Sequence, residues 1–156
     1  MGIEIERKFL VADSGWREAV TQSTRFSQGY LSRDPARTVR VRVAGDAAFL
    51  TIKGRTQGAS RAEFEYAVPV ADAQALLALC DGPVVEKLRH LCLHAGMTWE
   101  VDEFLGANAG LVVAELELQS EDQAFERPAW VGQEVTGDGR YVNANLAVHP
   151  FSTWVR

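Results

Sequence analysis

The sequence predicts a mainly β fold of the α+β class: a closed eight-stranded antiparallel β-barrel, or tunnel, with a few short flanking helices. Three observations lead there. Apolar and polar residues alternate with a period of two through about eight runs, as half-buried strands do. Turn-forming residues separate those runs at short intervals, and helical patterns are few and brief. An antiparallel meander of this kind gains by closing on itself, because closure removes exposed edges.

In chain order, Ile3 to Val11 sets Ile3, Ile5 and Phe9 against Glu4, Glu6 and Lys8. Asp13 or Ser14 is placed to cap a short helix carrying Trp16, Ala19 and Val20. Strand-like runs follow near 25–33, 37–43, 47–54 and 61–68, with Gly45-Asp46 turning between two of them. Asp72 caps a stronger helix through Leu76, Leu77, Leu79 and Cys80, ended by Gly82-Pro83. Further runs near 84–93, 97–104 and 111–119 are separated by Ala95-Gly96 and by the glycine-flanked segment 106–110. Ser120 followed by Gln123 reads as a capping box for a last short helix. The tail 130–156 is loop-rich, and its aromatics Trp130, Tyr141, Phe151 and Trp154 are expected to cover one end of the sheet.

At 156 residues the chain fits one domain, 1–156, and can bury a core without staples. Hydrophobic residues at 47% and charged residues at 24% indicate a globular chain rather than a disordered one. The net charge of −5 argues against nucleic acid or an anionic membrane as partner. It leaves room for an anionic small molecule, since a cleft can hold positive potential against the overall sign. No stretch approaches the roughly 20 apolar residues of a spanning helix. The start MGIEIERKFLV mixes acids and bases into its apolar run, unlike a signal peptide. Cys80 and Cys92 form neither a disulfide framework nor a CxxC. A reduced, cytoplasmic setting is expected, with the chain acting as monomer or homodimer.

On a strand, residues i and i+2 share a face. Glu4, Glu6 and Lys8 therefore form one stripe, Arg40 and Arg42 another, and Thr51 and Lys53 a third. Arg61, Glu63 and Glu65 share a face, as do Lys87 with Arg89, Glu100 with Asp102, and Glu115 with Glu117. For any single pair, a solvated sheet face is the ordinary explanation. Taken together the signs are segregated, and purely acidic pairs repel unless a cation bridges them. If the stripes face one lumen, Glu4, Glu6, Glu63, Glu65, Asp102, Glu115 and Glu117 meet Lys8, Arg40, Arg42, Lys53, Arg61, Lys87 and Arg89, and the charges balance. Such a lumen is stable only when filled by water, metal and ligand. Carboxylate sites select hard ions such as Mg²⁺ or Mn²⁺, while guanidinium groups clamp phosphate bidentately.

The motifs fall in a fixed order across nearly the whole chain. They run Glu4-Ile5-Glu6-Arg7-Lys8, Gln28-Gly29-Tyr30-Leu31, Arg40-Val41-Arg42, Thr51-Ile52-Lys53 and Arg61-Ala62-Glu63-Phe64-Glu65. Glu86-Lys87-Leu88-Arg89, Trp99-Glu100-Val101-Asp102 and Glu115-Leu116-Glu117 follow, then Glu134-Val135-Thr136 and Arg140-Tyr141. An ExExK alone is a weak signal, but this ordered set resembles the short bacterial members of the CYTH family, the triphosphate tunnel metalloenzymes. The resemblance implies an eight-stranded tunnel holding a triphosphate along its axis. It implies two Mg²⁺ or Mn²⁺ ions on Glu4, Glu6, Glu115 and Glu117. Phosphate oxygens would be bound by Lys8, Arg40, Arg42, Lys53, Arg61, Lys87 and Arg89. Catalytic roles would fall to Lys8, Tyr30 and Glu117, with Glu63, Glu65, Asp102 and Arg140 in support.

The activity implied is metal-dependent hydrolysis of a triphosphate-containing small molecule. Inorganic tripolyphosphate comes first, because the short chain has little inserted sequence to hold a nucleoside or thiamine. The alternatives are a class IV-type adenylate cyclase, a thiamine or nucleoside triphosphatase, and a non-catalytic module binding polyphosphate or nucleotides. His90, Cys92 and His94 also alternate on one face, but opposite Lys87 and Arg89 and so outside the tunnel, where consecutive strand positions make a poor zinc cage.

Overall fold

The period-two runs become strands in a computed structural model that describes residues 2–154. Among these residues the strands are β1 (Ile3–Val11), β2 (Val20–Ser32), β3 (Arg37–Ala44), β4 (Ala47–Gly54), β5 (Ser60–Ala67), β6 (Asp81–His94), β7 (Met97–Phe104), β8 (Val112–Glu117) and β9 (Val131–Glu134). The first eight close into an antiparallel barrel in the order β5-β4-β3-β2-β6-β7-β8-β1. β1 is the seam. Its residues 6–10 pair with β8, while Ile3, Glu4 and Ile5 pair with β5 on the other edge. Where β5 leaves that edge, β9 takes it over at Phe9 and Val11. This ninth strand lies in the stretch expected to be loop, because four residues of VGQE are too few to show an alternation.

The helical elements are a 3-10 turn at Gly15–Ala19, α1 (Val70–Leu77) and α2 (Asn143–Leu146), with shorter 3-10 turns at Gly106–Asn108, Gly139–Tyr141 and Phe151–Thr153. Four expected features differ. Val20 opens β2 rather than ending a helix, so β2 starts before residue 25. Pro69, not Asp72, stands at the N-cap of α1, since its fixed φ of −59° already suits the entry to a helix. Gly82 and Pro83 lie within β6 rather than marking a helix end. The segment after Ser120 is a turn. Gln123 Oε1 does accept from the Gln119 N–H at 2.6 Å, but no helix follows. No helix among the described residues is long and apolar enough to cross a membrane.

A barrel with a charged lumen must find its apolar burial elsewhere. One core lies outside the wall, where Phe9, Trp99, Val101 and Leu116 pack under Trp16 and Trp130. A second is covered by α1, which lays Ala73 on Val41 and Ala48. The third closes one end of the lumen. Tyr30, Val85, Phe104 and Val113 meet Tyr141, Ala144 and Leu146 there, and Phe151 and Trp154 pack over it. Tyr141, Phe151 and Trp154 thus cover an end of the barrel as expected, whereas Trp130 stacks edge-on with Trp99 at 5.8 Å in the outer core.

The β6–β7 hairpin turns on Ala95 (φ 49°) and Gly96 (φ 77°). Two positive φ values suit the twist of a hairpin, but an alanine there is strained. Ala95→Asn is expected to stabilise the fold by about 0.5–1 kcal/mol, raising the melting temperature by roughly 2–3 °C in calorimetry.

Candidate functional site

Alternation within each strand sends the charged stripes inward, and the register sorts them by sign. β2 runs between β3 and β6, so Arg40, Arg42, Lys87 and Arg89 gather on one side of the lumen around Phe26, Gln28 and Tyr30. Arg42 Cζ lies 4.5 Å and Arg89 Cζ 5.0 Å from the Phe26 ring centre, so one aromatic face carries both guanidinium groups. Asp102 is fully buried behind this wall. It accepts from Lys87 Nζ at 2.6 Å and from Arg89 Nε and Nη2 at 2.8 and 2.9 Å. Gln28 Oε1 accepts from Arg42 Nε at 2.9 Å. Arg40 donates to Thr51 Oγ1, but its buried Nε–H has no acceptor.

Two of these cations, Arg42 and Lys87, are under-compensated. Burial lowers the Arg42 guanidinium to about 9, with Arg40 and Arg89 adding repulsion. Burial also takes Lys87 down to about 7 in spite of Asp102. Arg89 alone moves the other way: burial opposes its charge, but Asp102 holds it well above its usual value.

The opposite side, from β1, β5, β7 and β8, carries the acids. Glu6 faces Glu117 across the β1–β8 ladder, and Glu100 faces Glu115 across β7–β8, both like-charge pairs that a solvated sheet would avoid. Glu4, Glu63 and Glu117 each bring one carboxylate oxygen within 4.8 Å of the others. Lys53 Nζ lies 3.1 Å from Glu4 and 3.3 Å from Glu63, and Arg61 Nε lies 3.2 Å from Glu4. Burial opposes the charge on Glu4, yet Lys53 and Arg61 hold its carboxyl well below the usual range. Burial and then Glu4 push Glu63 and Glu117 up. Glu6 rises to about 8, through burial and then the Glu115 and Glu4 carboxylates. Its partner Glu115 is held far down by Arg89, Lys8 and Lys87 against its burial.

Between these walls is a cavity of about 310 Å³, adjoined by a second of about 330 Å³ that shares Glu4, Glu6, Lys8 and Arg61 and opens past Thr56, Ala59 and Thr136. Glu65 also lines the first cavity, 3.6 Å from Arg40. Lys8 Nζ reaches the Tyr141 carbonyl at 3.4 Å, and the Tyr30 hydroxyl accepts from Gln28 at 2.9 Å. Of the residues singled out from sequence, all but two line this cavity: Asp102 braces it from behind, and Arg140 lies outside. Arg140 is a surface residue paired at 2.8 Å with Asp138, two positions back, which spends its charge locally. The acidic grouping also differs from the expected pairs. Glu63 joins Glu4 and Glu117 because β5 meets the start of β1, a register no alternation pattern reveals.

Glu100, Phe26, Gln28 and Asn143 were missed. Glu100 was legible on the Asp102 stripe, and Gln28 within the Gln28-Gly29-Tyr30 motif; Phe26 and Asn143 gave no signal. His90 lies outside, bonded to Ser23 at 2.6 Å and Glu103 at 3.1 Å, and Cys92 donates to the Trp16 carbonyl. The donor set suits a hard divalent cation. It offers carboxylate oxygens alone, two of them pushed toward protonation by burial first and then by the Glu4 charge, which a cation would offset.

The CYTH domain family model matches residues 2–142. An inorganic triphosphatase of Acetivibrio thermocellus is 48% identical over 155 residues, covering 99% of each chain. One of Nitrosomonas europaea is 39% identical over 150 residues, covering 93% of this chain and 97% of that one. Among solved structures, the inorganic triphosphatase NE1496 is 37% identical with a TM-score of 0.67, covering 92% of this chain and 93% of that chain. With the match spanning the barrel from β1 to β9 and close relatives along the full length, this chain belongs to the CYTH domain family.

Proposed function

We propose that the chain hydrolyses inorganic tripolyphosphate to pyrophosphate and phosphate, using Mg²⁺ or Mn²⁺. The observation that carries this is the pairing of an under-compensated cationic wall with an under-compensated acidic one across a single cavity. The names of the relatives support it.

In this scheme Arg40, Arg42, Lys87 and Arg89 hold the phosphate oxygens, and Lys53 and Arg61 bridge toward the acids. Glu4, Glu63 and Glu117 hold one metal ion, and Glu6 with Glu115 a second. When bound, the metal neutralises phosphate charge and acidifies a water. The glutamates accept the proton that the attacking water loses. Lys8 stabilises charge on the transferred group, in the water-poor lumen where such a contact counts most. The Tyr30 hydroxyl already accepts from Gln28, so its own proton is free to be donated to a phosphate oxygen.

The test is purified protein with Mg²⁺ or Mn²⁺ and, in parallel, tripolyphosphate, ATP and thiamine triphosphate. Equal phosphate and pyrophosphate from tripolyphosphate, faster than phosphate release from the others, is expected. Cyclic AMP with pyrophosphate from ATP would sink the hydrolase reading, and tight binding without turnover under either metal would point to a binding module.

Metal loading carries a pH signature. With its pKa raised to about 8, Glu6 binds a proton in the folded, metal-free protein throughout pH 5–7, where an unfolded chain would have lost it. A metal ligand must give that proton up. Manganese affinity is therefore expected to rise with pH up to about 8, with proton release at pH 7 seen by calorimetry in buffers of different ionisation enthalpy. Glu6→Gln should reduce the release, leaving any share from Glu63 and Glu117.

A further inference from the structure

Asn143 opens α2 at the border between the cationic wall and the apolar end of the lumen, just past the residues the family model matches. Its Oδ1 accepts from Lys87 Nζ at 2.9 Å and from Gln28 Nε2 at 3.2 Å. The same Gln28 amide donates to the Tyr30 hydroxyl and, through Oε1, accepts from Arg42 Nε. One oxygen thus ties the β2–β3 side of the wall to β6.

In its charged form Lys87 has three N–H groups; Asp102 takes one and Asn143 another, which leaves one. With two acceptors fixed, the direction of the third is fixed as well. Gln28 is likewise held to one orientation, because reversing its amide would set an N–H against Arg42 Nε–H. Without the Asn143 acceptor, the Lys87 ammonium turns freely about the Asp102 contact, and Gln28 loses one of the two partners of its amide nitrogen.

We propose that Asn143 is a positioning residue for substrate: by accepting from Lys87 and Gln28 together, it aims the free N–H of Lys87 and the Arg42 guanidinium at the phosphate chain. This rests on the reading of the cavity as a triphosphate site. The residue acts on binding groups, so its loss falls on affinity. Alanine is compatible with α2, whose own hydrogen bonds use only the Asn143 backbone.

The experiment has two readouts. In the first, metal-free wild type, Asn143→Ala, Lys87→Met and the double variant are titrated with tripolyphosphate by calorimetry. Asn143→Ala is expected to weaken binding about tenfold in the wild-type background and about threefold or less beside Lys87→Met. In the second, with Mn²⁺ and tripolyphosphate, Asn143→Ala raises KM about tenfold while kcat changes less than about threefold; a merely structural defect would lower the active fraction and leave KM alone. Equal losses in both backgrounds, or an unchanged KM, would overturn the proposal. If wild type neither binds nor hydrolyses tripolyphosphate, the functional reading itself fails; if it does both and Asn143→Ala matches it, only the role of Asn143 fails.

Discussion

Glu117→Gln is expected to lower tripolyphosphate hydrolysis by roughly a thousandfold while leaving the melting temperature unchanged or slightly raised. The activity loss follows from its place: its carboxylate closes the group formed with Glu4 and Glu63 and stands directly across from Glu6. Amide oxygen is a poor substitute for a carboxylate toward a hard cation. The stability outcome follows from the same crowding, since burial and Glu4 already press the Glu117 carboxyl toward its neutral form. Removing that charge relieves repulsion and breaks no ion pair found among the described residues. Steady-state phosphate release and a thermal melt check both halves. Normal activity would refute the acidic assignment, and a large fall in melting temperature would make Glu117 structural.

Asp102→Asn has the opposite signature. Asp102 is fully buried and bonded to both Lys87 and Arg89, so neutralising it leaves the buried Lys87 without a carboxylate partner among the described residues and Arg89 with only Glu100 and Glu115. Breaking one side of a buried ion pair costs about 3–5 kcal/mol, which for a chain of this length lowers the melting temperature by roughly 10 °C. Tripolyphosphate can restore part of the missing negative charge, so it should raise the melting temperature of the variant more than that of wild type. Calorimetry with and without the anion measures this. A fall of less than about 2 °C would mean that the pair with Lys87 and Arg89 carries little of the fold.

The contrast between Glu117 and Asp102 also marks how far the sequence could be read. Both were visible as inward-facing acids, because period two maps directly onto the faces of a strand. Their difference was not visible, because it depends on register. Arg89 lies opposite Asp102 across β6–β7, whereas Glu117 lies opposite another acid across β1–β8. The same limit hid the grouping of Glu63 with Glu4, which requires β5 to meet the start of β1. β9 is too short to announce itself, and Asn143 enters the site only because the tail folds back onto the barrel end. Arg140 differs in the other direction: the Arg140-Tyr141 motif implies a supporting role, but Asp138, two residues away, pairs with it at the surface.

In the proposed function the two charged walls are the two halves of one metal–triphosphate site. The most direct test is a crystal soaked with Mn²⁺ and tripolyphosphate, read by anomalous scattering. A manganese peak is expected among the carboxylates of Glu4, Glu63 and Glu117, with the phosphate chain running from it to Arg40, Arg42, Lys87 and Arg89. Manganese on the outer surface, or phosphate bound away from the cationic wall, would contradict it.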